Sequence, residues 1–249
     1  MRHFPGDDHA TVASNPVPFA TRSWMGYRNL LTLVVVYSAL MSVIALYLSH
    51  DTFVWLYSEA GPFELLSLGF WLLLAALCFS LPSLPRRPWQ QGIVAMVAAA
   101  READLHKAFT EGSVLKFTYY FDSSTPLLER LLVALVTFPL VALVLYVLVG
   151  GARFIHRSNA LRFEWGQTVL LAMILLVASK MLDRSGAVLA DWFGLGFPLL
   201  LQRFVAAFEE GTEMLLPILF MAALLQYQYQ HLTGVTGAAG ASGRGPGVR

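Results

Sequence analysis

The sequence has few charged residues. They make up 13% of the 249 residues, and apolar residues make up 57%. Soluble domains carry about 25% charged residues, because most charged side chains on a compact soluble protein face water. The small charged fraction therefore excludes an ordinary water-soluble domain of this size. We infer that much of the surface faces lipid, which makes the bilayer the first expected partner.

Other absences exclude further classes of protein. The only cysteine, Cys78, cannot form an intramolecular disulfide. The formal net charge of +1 gives no basic field for a nucleic acid. The motifs GxxxxGK[ST], GxGxxG and GxSxG do not occur, so the chain shows no nucleotide-binding motif and no serine-hydrolase motif.

Long apolar segments are present instead. A membrane crossing needs about 20 helical residues, and prolines and glycines mark where such segments begin and end. We predict an all-α, polytopic transmembrane helical bundle of about six spans: 29–49, 62–81, 91–109, 127–150, 165–182 and a sixth that ends near Tyr229. Residues 186–193 are predicted to be an interfacial or re-entrant segment before the last span, because Gly194, Gly196 and Pro198 follow them.

The distribution of arginine indicates an orientation. Six spans place the amino terminus, the Arg86-Arg87 turn, the loop from Arg153 to Glu164 and the carboxyl tail on one side, with ten arginines and three acidic residues. By the positive-inside rule this side is cytoplasmic. We expect a bacterial inner-membrane protein with both termini in the cytoplasm. Its predicted parts are a flexible leader (1–28), a transmembrane helical domain (29–232) and a Gly/Ala/Ser-rich disordered tail (233–249).

The third span has an unusually charged second half, Arg101-Glu-Ala-Asp-Leu-His-Lys107. A helix that enters at Gln91 and rises 1.5 Å per residue places Glu102 roughly 15 Å deep, near the middle of the bilayer. The i, i+4 spacing of Glu102 and His106 then puts both on one helix face. We therefore predict that this face carries a polar site.

Ionisable residues of other spans fall in the same half of the bilayer. Each ionised group there costs about 2.5–3.5 kcal/mol on insertion scales, so these groups must face inward and be paired, protonated or ligated. Two carboxylates lack an obvious basic partner, and a bound cation, a retained proton or water must offset their charge. The predicted site for a proton or divalent metal comprises Glu102, His106, Glu210, Glu213, Glu64 and Asp183, with Lys180, Arg101, Lys107 and Arg184 balancing the charge.

Three functions fit this pattern. The first is binding or translocation of a cation, either a proton or a divalent metal ion. The second is a membrane-embedded metal-dependent hydrolase for a lipid-like substrate, in which the metal activates water and one glutamate acts as general base. The third is a non-catalytic accessory subunit of a larger membrane-protein complex, whose charges form a packing network. The residue types do not select one metal: a single histidine with carboxylates suits Zn²⁺, and an oxygen-rich set suits Mn²⁺, Mg²⁺ or Ca²⁺.

Overall fold

The computed structural model describes residues 26–58, 61–81, 88–105, 114, 117–121 and 125–242. Within these residues the chain forms seven α-helices and no strand, which confirms the all-α class for the described part. The helices are α1 (Tyr27–Tyr47), α2 (His50–Leu56), α3 (Pro62–Ser80), α4 (Pro88–Glu102), α5 (Leu127–Arg157), α6 (Glu164–Phe193) and α7 (Leu199–Ser242). Two short 3₁₀ helices, Phe117–Phe121 and Ala160–Arg162, precede and follow α5.

Four of the described helices, α1, α3, α5 and α6, are long and apolar enough to cross a membrane. The predicted count of about six is therefore not confirmed by the described residues. Helix α4 has only 15 residues, which is short for a crossing. In α7, Glu213 and Gln226 bound an apolar run of only twelve residues. The described residues thus form a helical protein with four helices that are suited to span a bilayer by their length and composition.

Local chemistry explains where several helices begin and end. Pro62 occupies the first turn of α3, where its missing N–H would have had no intrahelical acceptor. Helix α6 ends at Gly194, which adopts a left-handed conformation with φ 64° and donates its N–H to the carbonyl of Ala190 at 3.0 Å. The chain then runs without helix to Leu199, so the predicted break around Gly194 and Pro198 is confirmed.

Three predicted boundaries differ from the structure. Residues 186–193 do not form a separate interfacial or re-entrant segment but the last two turns of α6, because Gly186 alone does not interrupt a helix. Helix α4 ends at Glu102 and does not continue through Lys107, since Asp104 takes a left-handed conformation with φ 51°. Helix α7 continues to Ser242, past the predicted start of the tail at Thr233.

Helix α7 lies at the centre of the bundle. It packs against α1, α3 and α6, and α3 also packs against α4. One apolar cluster joins α1, α6 and α7, and a second joins α3, α4 and α7. The buried residues of the first cluster are Leu30, Val34, Ala172, Leu215, Leu216, Leu219 and Ala222. Those of the second are Leu74, Ala75, Cys78, Ala95, Met221 and Leu224.

Contacts between helix termini define two ends of the bundle. At one end, Arg203 of α7 donates a hydrogen bond from Nη2 to the carbonyl of Leu48, just after α1, and its guanidinium lies 4.6 Å from the centre of the Phe53 ring. At the other end, Trp165 of α6 packs edge-on against Tyr227 of α7 at 5.2 Å between ring centroids. We call these the Arg203 end and the Trp165 end. Helices α6 and α7 are therefore antiparallel neighbours.

Helix α5 lies at the periphery. None of its described residues, Leu127–Arg157, is buried. The helix packs against α4 and the two 3₁₀ helices, and its Phe154 ring contacts Trp165 of α6 and Tyr227 of α7. Tyr119 fixes its first turn by donating a hydrogen bond to Glu129 at 2.8 Å. Its apolar side chains, including Leu135 at 71% exposure, match the surface that lipid requires.

The turn between α5 and α6 requires a glycine. A Cβ on Gly166 would lie 2.1 Å from the carbonyl oxygen of Ala160, which is too close for any non-bonded contact. Ala160 itself is fully buried. The absence of a side chain at position 166 therefore allows the first turn of α6 to rest directly on the 3₁₀ helix that precedes it.

We predict that Gly166→Ala lowers the stability of the protein. The new methyl group must displace backbone rather than a flexible side chain, and overpacking of this kind costs about 1–3 kcal/mol. Gly69→Ala is the matched control, because a Cβ there meets nothing within 4 Å. Thermal unfolding of both purified variants in the same detergent tests this prediction. An equal melting temperature for the two variants would contradict it.

Candidate functional site

Four charged side chains from three helices form a network in the half of the bundle nearer the Arg203 end. Glu213 of α7 accepts a hydrogen bond from Arg101 Nη2 of α4 at 3.2 Å and another from Lys180 Nζ of α6. Both donors bind the same carboxylate oxygen, Oε1. Arg101 also binds its neighbour Glu102, at 3.3 Å between Nη1 and Oε1. We call Arg101, Glu102, Lys180 and Glu213 the charged cluster.

The carboxylates of the charged cluster are buried, and the cations are only partly so. The side chains of Glu102 and Glu213 are 6% and 9% exposed, whereas those of Arg101 and Lys180 are 44% and 37% exposed. A long basic side chain can keep its stem on an apolar surface and extend its charge toward a polar boundary. The arrangement therefore places negative charge inside the bundle and positive charge at its margin.

Two further carboxyl groups adjoin the charged cluster on α7. Glu209 lies close enough to interact electrostatically with Asp183 and Glu213. Glu210 interacts with Glu213, Glu209, Glu102 and Glu64. These four groups are all acidic, and both basic side chains of the charged cluster are bonded to Glu213.

Helices α1 and α2 close the other side of this region. A Cβ on Gly211 would lie 2.7 Å from Met41 Sδ and 3.3 Å from the Tyr37 hydroxyl, so the glycine allows α1 to approach α7 beside Glu210. Tyr57, which follows α2, donates a hydrogen bond to Met41 Sδ at 3.4 Å. Burial, and then the nearby Glu210 carboxylate, raises the pKa of Tyr57 to about 12. Tyr57 therefore stays a neutral hydrogen-bond donor at physiological pH.

Several buried polar atoms near the charged cluster make no hydrogen bond within the described part of the chain. They are Tyr37 Oη, Ser67 Oγ and Ser179 Oγ. Ser179 is fully buried and precedes Lys180 directly. Ser67 is 2% exposed, and its side chain adjoins the Glu102 carboxyl. Buried polar groups are normally satisfied by protein, water or a ligand, so this region is suited to hold water.

The predicted site residues have different positions in the structure. Glu102, Glu213, Arg101 and Lys180 form the charged cluster, and Glu210 adjoins it. Glu64 begins α3 near Glu210, and Asp183 lies exposed on α6, within electrostatic reach of Glu209 and Arg101. Arg184 is exposed and forms no ion pair with another described residue. His106 and Lys107 lie outside the described residues.

The predicted metal site stays a prediction. Among the described residues, no group of three or more His, Cys, Asp or Glu side chains is placed to hold a metal ion. The one histidine of the predicted ligand set, His106, is not described. The helix that was to carry Glu102 and His106 on one face ends at Glu102, so their i, i+4 spacing no longer places them together.

The sequence analysis missed the contribution of α1. Its buried face is the stripe Leu30, Val34, Met41 and Ala45, and Tyr37 falls within this stripe at helical spacing. A hydroxyl in an otherwise apolar buried stripe is a signal that periodicity alone would have revealed.

Comparison of the chain with protein-family models, with curated proteins and with solved structures finds no match.

We predict that Glu213→Gln destabilises the bundle because it leaves the Arg101 and Lys180 charges without their shared partner. Breaking a fully buried ion pair costs about 3–5 kcal/mol, and the partial exposure of both cations reduces this cost to about 2 kcal/mol. The double variant Lys180→Met/Glu213→Gln should regain part of the loss, since Arg101 keeps Glu102. Unfolding of the purified variants in one detergent measures both effects.

Glu164→Gln is the control for this experiment, because Glu164 is an exposed carboxylate in the first turn of α6. If Glu213→Gln were no less stable than this control, the charged cluster would not stabilise the bundle. If the double variant regained nothing, the interaction between Lys180 and Glu213 would not be the source of the loss.

Proposed function

We propose that this protein binds and releases protons at a carboxyl group inside the membrane, and that Glu210 is the principal proton-binding group. The observation that carries the proposal is the environment of Glu210, in which the acidic residues Glu213, Glu209, Glu102 and Glu64 exert the largest electrostatic effects. Crowded carboxylates in a medium of low dielectric constant cannot all stay ionised. A proton is the smallest cation that offsets the excess charge.

The charged cluster supports the choice of Glu210 over Glu213. Glu213 receives hydrogen bonds from both Arg101 and Lys180, and two cationic donors stabilise an ionised carboxylate. The Glu213 carboxylate therefore has two basic partners within the charged cluster. Glu210 lies one helical turn away on α7 without such a donor pair, so protonation is the means by which its charge is removed.

A proton fits the described residues better than a divalent metal ion does. Metal ions need several ligands at fixed distances, and the described acidic side chains do not form a group of three placed for that purpose. Proton binding needs one carboxyl group and a path for water. The buried Tyr37, Ser67 and Ser179 polar atoms that lack protein partners among the described residues mark positions where water can reach the carboxyl groups.

The apolar clusters support proton exchange with one side of the membrane rather than conduction through the bundle. Leu215, Leu216 and Leu219 are almost fully buried and lie on α7 between Glu213 and the Trp165 end. Apolar packing of this density leaves no room for a chain of water. The proposed site therefore exchanges protons with the Arg203 end, where six spans would place the exterior.

We predict that Glu210→Gln removes a protonatable group while the fold is retained, because glutamine has the shape of a protonated glutamate. Protein in lipid nanodiscs should take up about one proton fewer per molecule than the wild type when the pH is lowered through neutrality. Infrared spectroscopy should show the corresponding loss of a protonated-carboxyl band. Size-exclusion chromatography checks that the variant stays folded.

Glu164→Gln is again the matched control, since that exposed carboxylate is remote from the charged cluster. A wild-type protein with no protonated carboxyl band across neutral pH would overturn the proposal. So would a Glu210→Gln variant that takes up as many protons as the control. Proton uptake on both sides of a sealed vesicle would instead show conduction and contradict the one-sided site.

A further inference from the structure

A second polar feature lies at the Trp165 end, far along the helices from the charged cluster. A cavity of about 480 Å³ lies between the last turns of α5 and the first half of α6. Its polar lining comes from His156, Asn159 and Arg162, and its apolar lining includes Ile155, Leu170 and Met173. A volume of this size falls within the range of small-molecule sites.

The backbone of the turn builds this cavity. Asn159 adopts a left-handed conformation with φ 49°, which asparagine tolerates better than most residues. Its carbonyl accepts a hydrogen bond from the Arg162 N–H at 3.0 Å, and Gln167 Nε2 donates to the Leu161 carbonyl at 3.0 Å. Together with the close approach at Gly166, these bonds hold the polar side of the cavity in place before any ligand arrives.

Basic side chains lie around the cavity, and the exposed Glu164, which begins α6, does not line it. His156 and Arg162 line it, and Arg153 and Arg157 lie on the same last turns of α5, all four exposed. No acidic residue is among the described residues that line it. Four nitrogen-bearing side chains without a lining carboxylate favour an anionic ligand, and arginine in particular matches the geometry of a phosphate group.

The apolar side of the cavity identifies the kind of anion. Leu170 and Met173 lie six and nine residues after the first residue of α6, a helix suited to span the membrane, so they extend from the polar rim toward the hydrocarbon region. Leu170 is 45% exposed, which leaves its side chain open to contact an acyl chain. A free phosphate ion would not contact these apolar side chains, whereas a phospholipid has both a phosphate group and an acyl chain.

We infer that the cavity binds one anionic phospholipid, with its phosphate at Arg162 and His156 and the start of an acyl chain along Leu170 and Met173. Basic pockets at the cytoplasmic ends of membrane helices are suited to such head groups. The volume holds a head group and the first carbons of the chains, and the remaining chain continues into the bilayer. The site is independent of the proposed proton-binding function.

Native mass spectrometry of the detergent-purified protein tests the inference with phosphatidylglycerol as probe and phosphatidylcholine as the neutral comparison. The wild type should retain one phosphatidylglycerol in preference to phosphatidylcholine. Arg162→Gln should bind phosphatidylglycerol about fivefold more weakly, the loss expected for one basic residue near a membrane surface. Arg28→Gln, which removes an exposed arginine from the start of α1, should leave retention unchanged.

Two further measurements distinguish the lipid from simpler ligands. Leu170→Asn should weaken retention of phosphatidylglycerol although every basic residue is kept. Inorganic phosphate at the concentration of the lipid should not displace it. Equal retention of the two lipids, equal loss in Arg162→Gln and Arg28→Gln, no effect of Leu170→Asn, or displacement by inorganic phosphate would each overturn the inference.

Discussion

The requirement that a buried carboxylate be matched by positive charge determines how this bundle is arranged. Glu213 is almost completely enclosed, and a single oxygen of its carboxylate receives Arg101 from α4 and Lys180 from α6. Apolar faces alone give helices in lipid little preference for one partner over another. A shared ion pair supplies that preference, because each cation is best placed when α7 lies between the two helices that carry them.

The same interaction explains why we propose that an adjacent carboxyl group, rather than Glu213, gains and loses a proton. Because both cations are bonded to Glu213, the residues with the largest electrostatic effects on Glu210, one turn earlier in α7, are acidic. A change in the charge of Glu210 would act directly on the field around Glu213, since the two side chains share one helix face. Structural stability and proposed proton binding thus depend on separate members of one set of residues, which is why conservative substitutions can separate them.

The positions of most helices could be predicted from hydropathy and from the proline and glycine residues at helix termini, whereas the pairing of the charged side chains could not. Pro62 marks the start of α3 and Gly194 marks the end of α6, because the effect of each residue on the backbone is local. The end of α4 at Glu102 was missed because Arg101-Glu-Ala-Asp contains no residue that prohibits helix, and only the left-handed Asp104 stops it. The predicted depths in the bilayer placed Glu102 and Glu213 in the same half of the membrane. Which carboxylate pairs with Arg101, however, depends on how each helix is rotated about its axis, and residue spacing along one helix does not specify that rotation.

The central position of α7 also has a consequence for biosynthesis. Arg101 and Lys180 precede Glu213 along the chain, so the ribosome delivers both cations to the membrane before their common acceptor has been made. Until α7 follows, helices α4 and α6 carry charge that the bilayer core disfavours. Closure of the bundle is therefore a late event that awaits α7, and a nascent chain stalled before Glu213 would present these cations to the insertion and quality-control machinery.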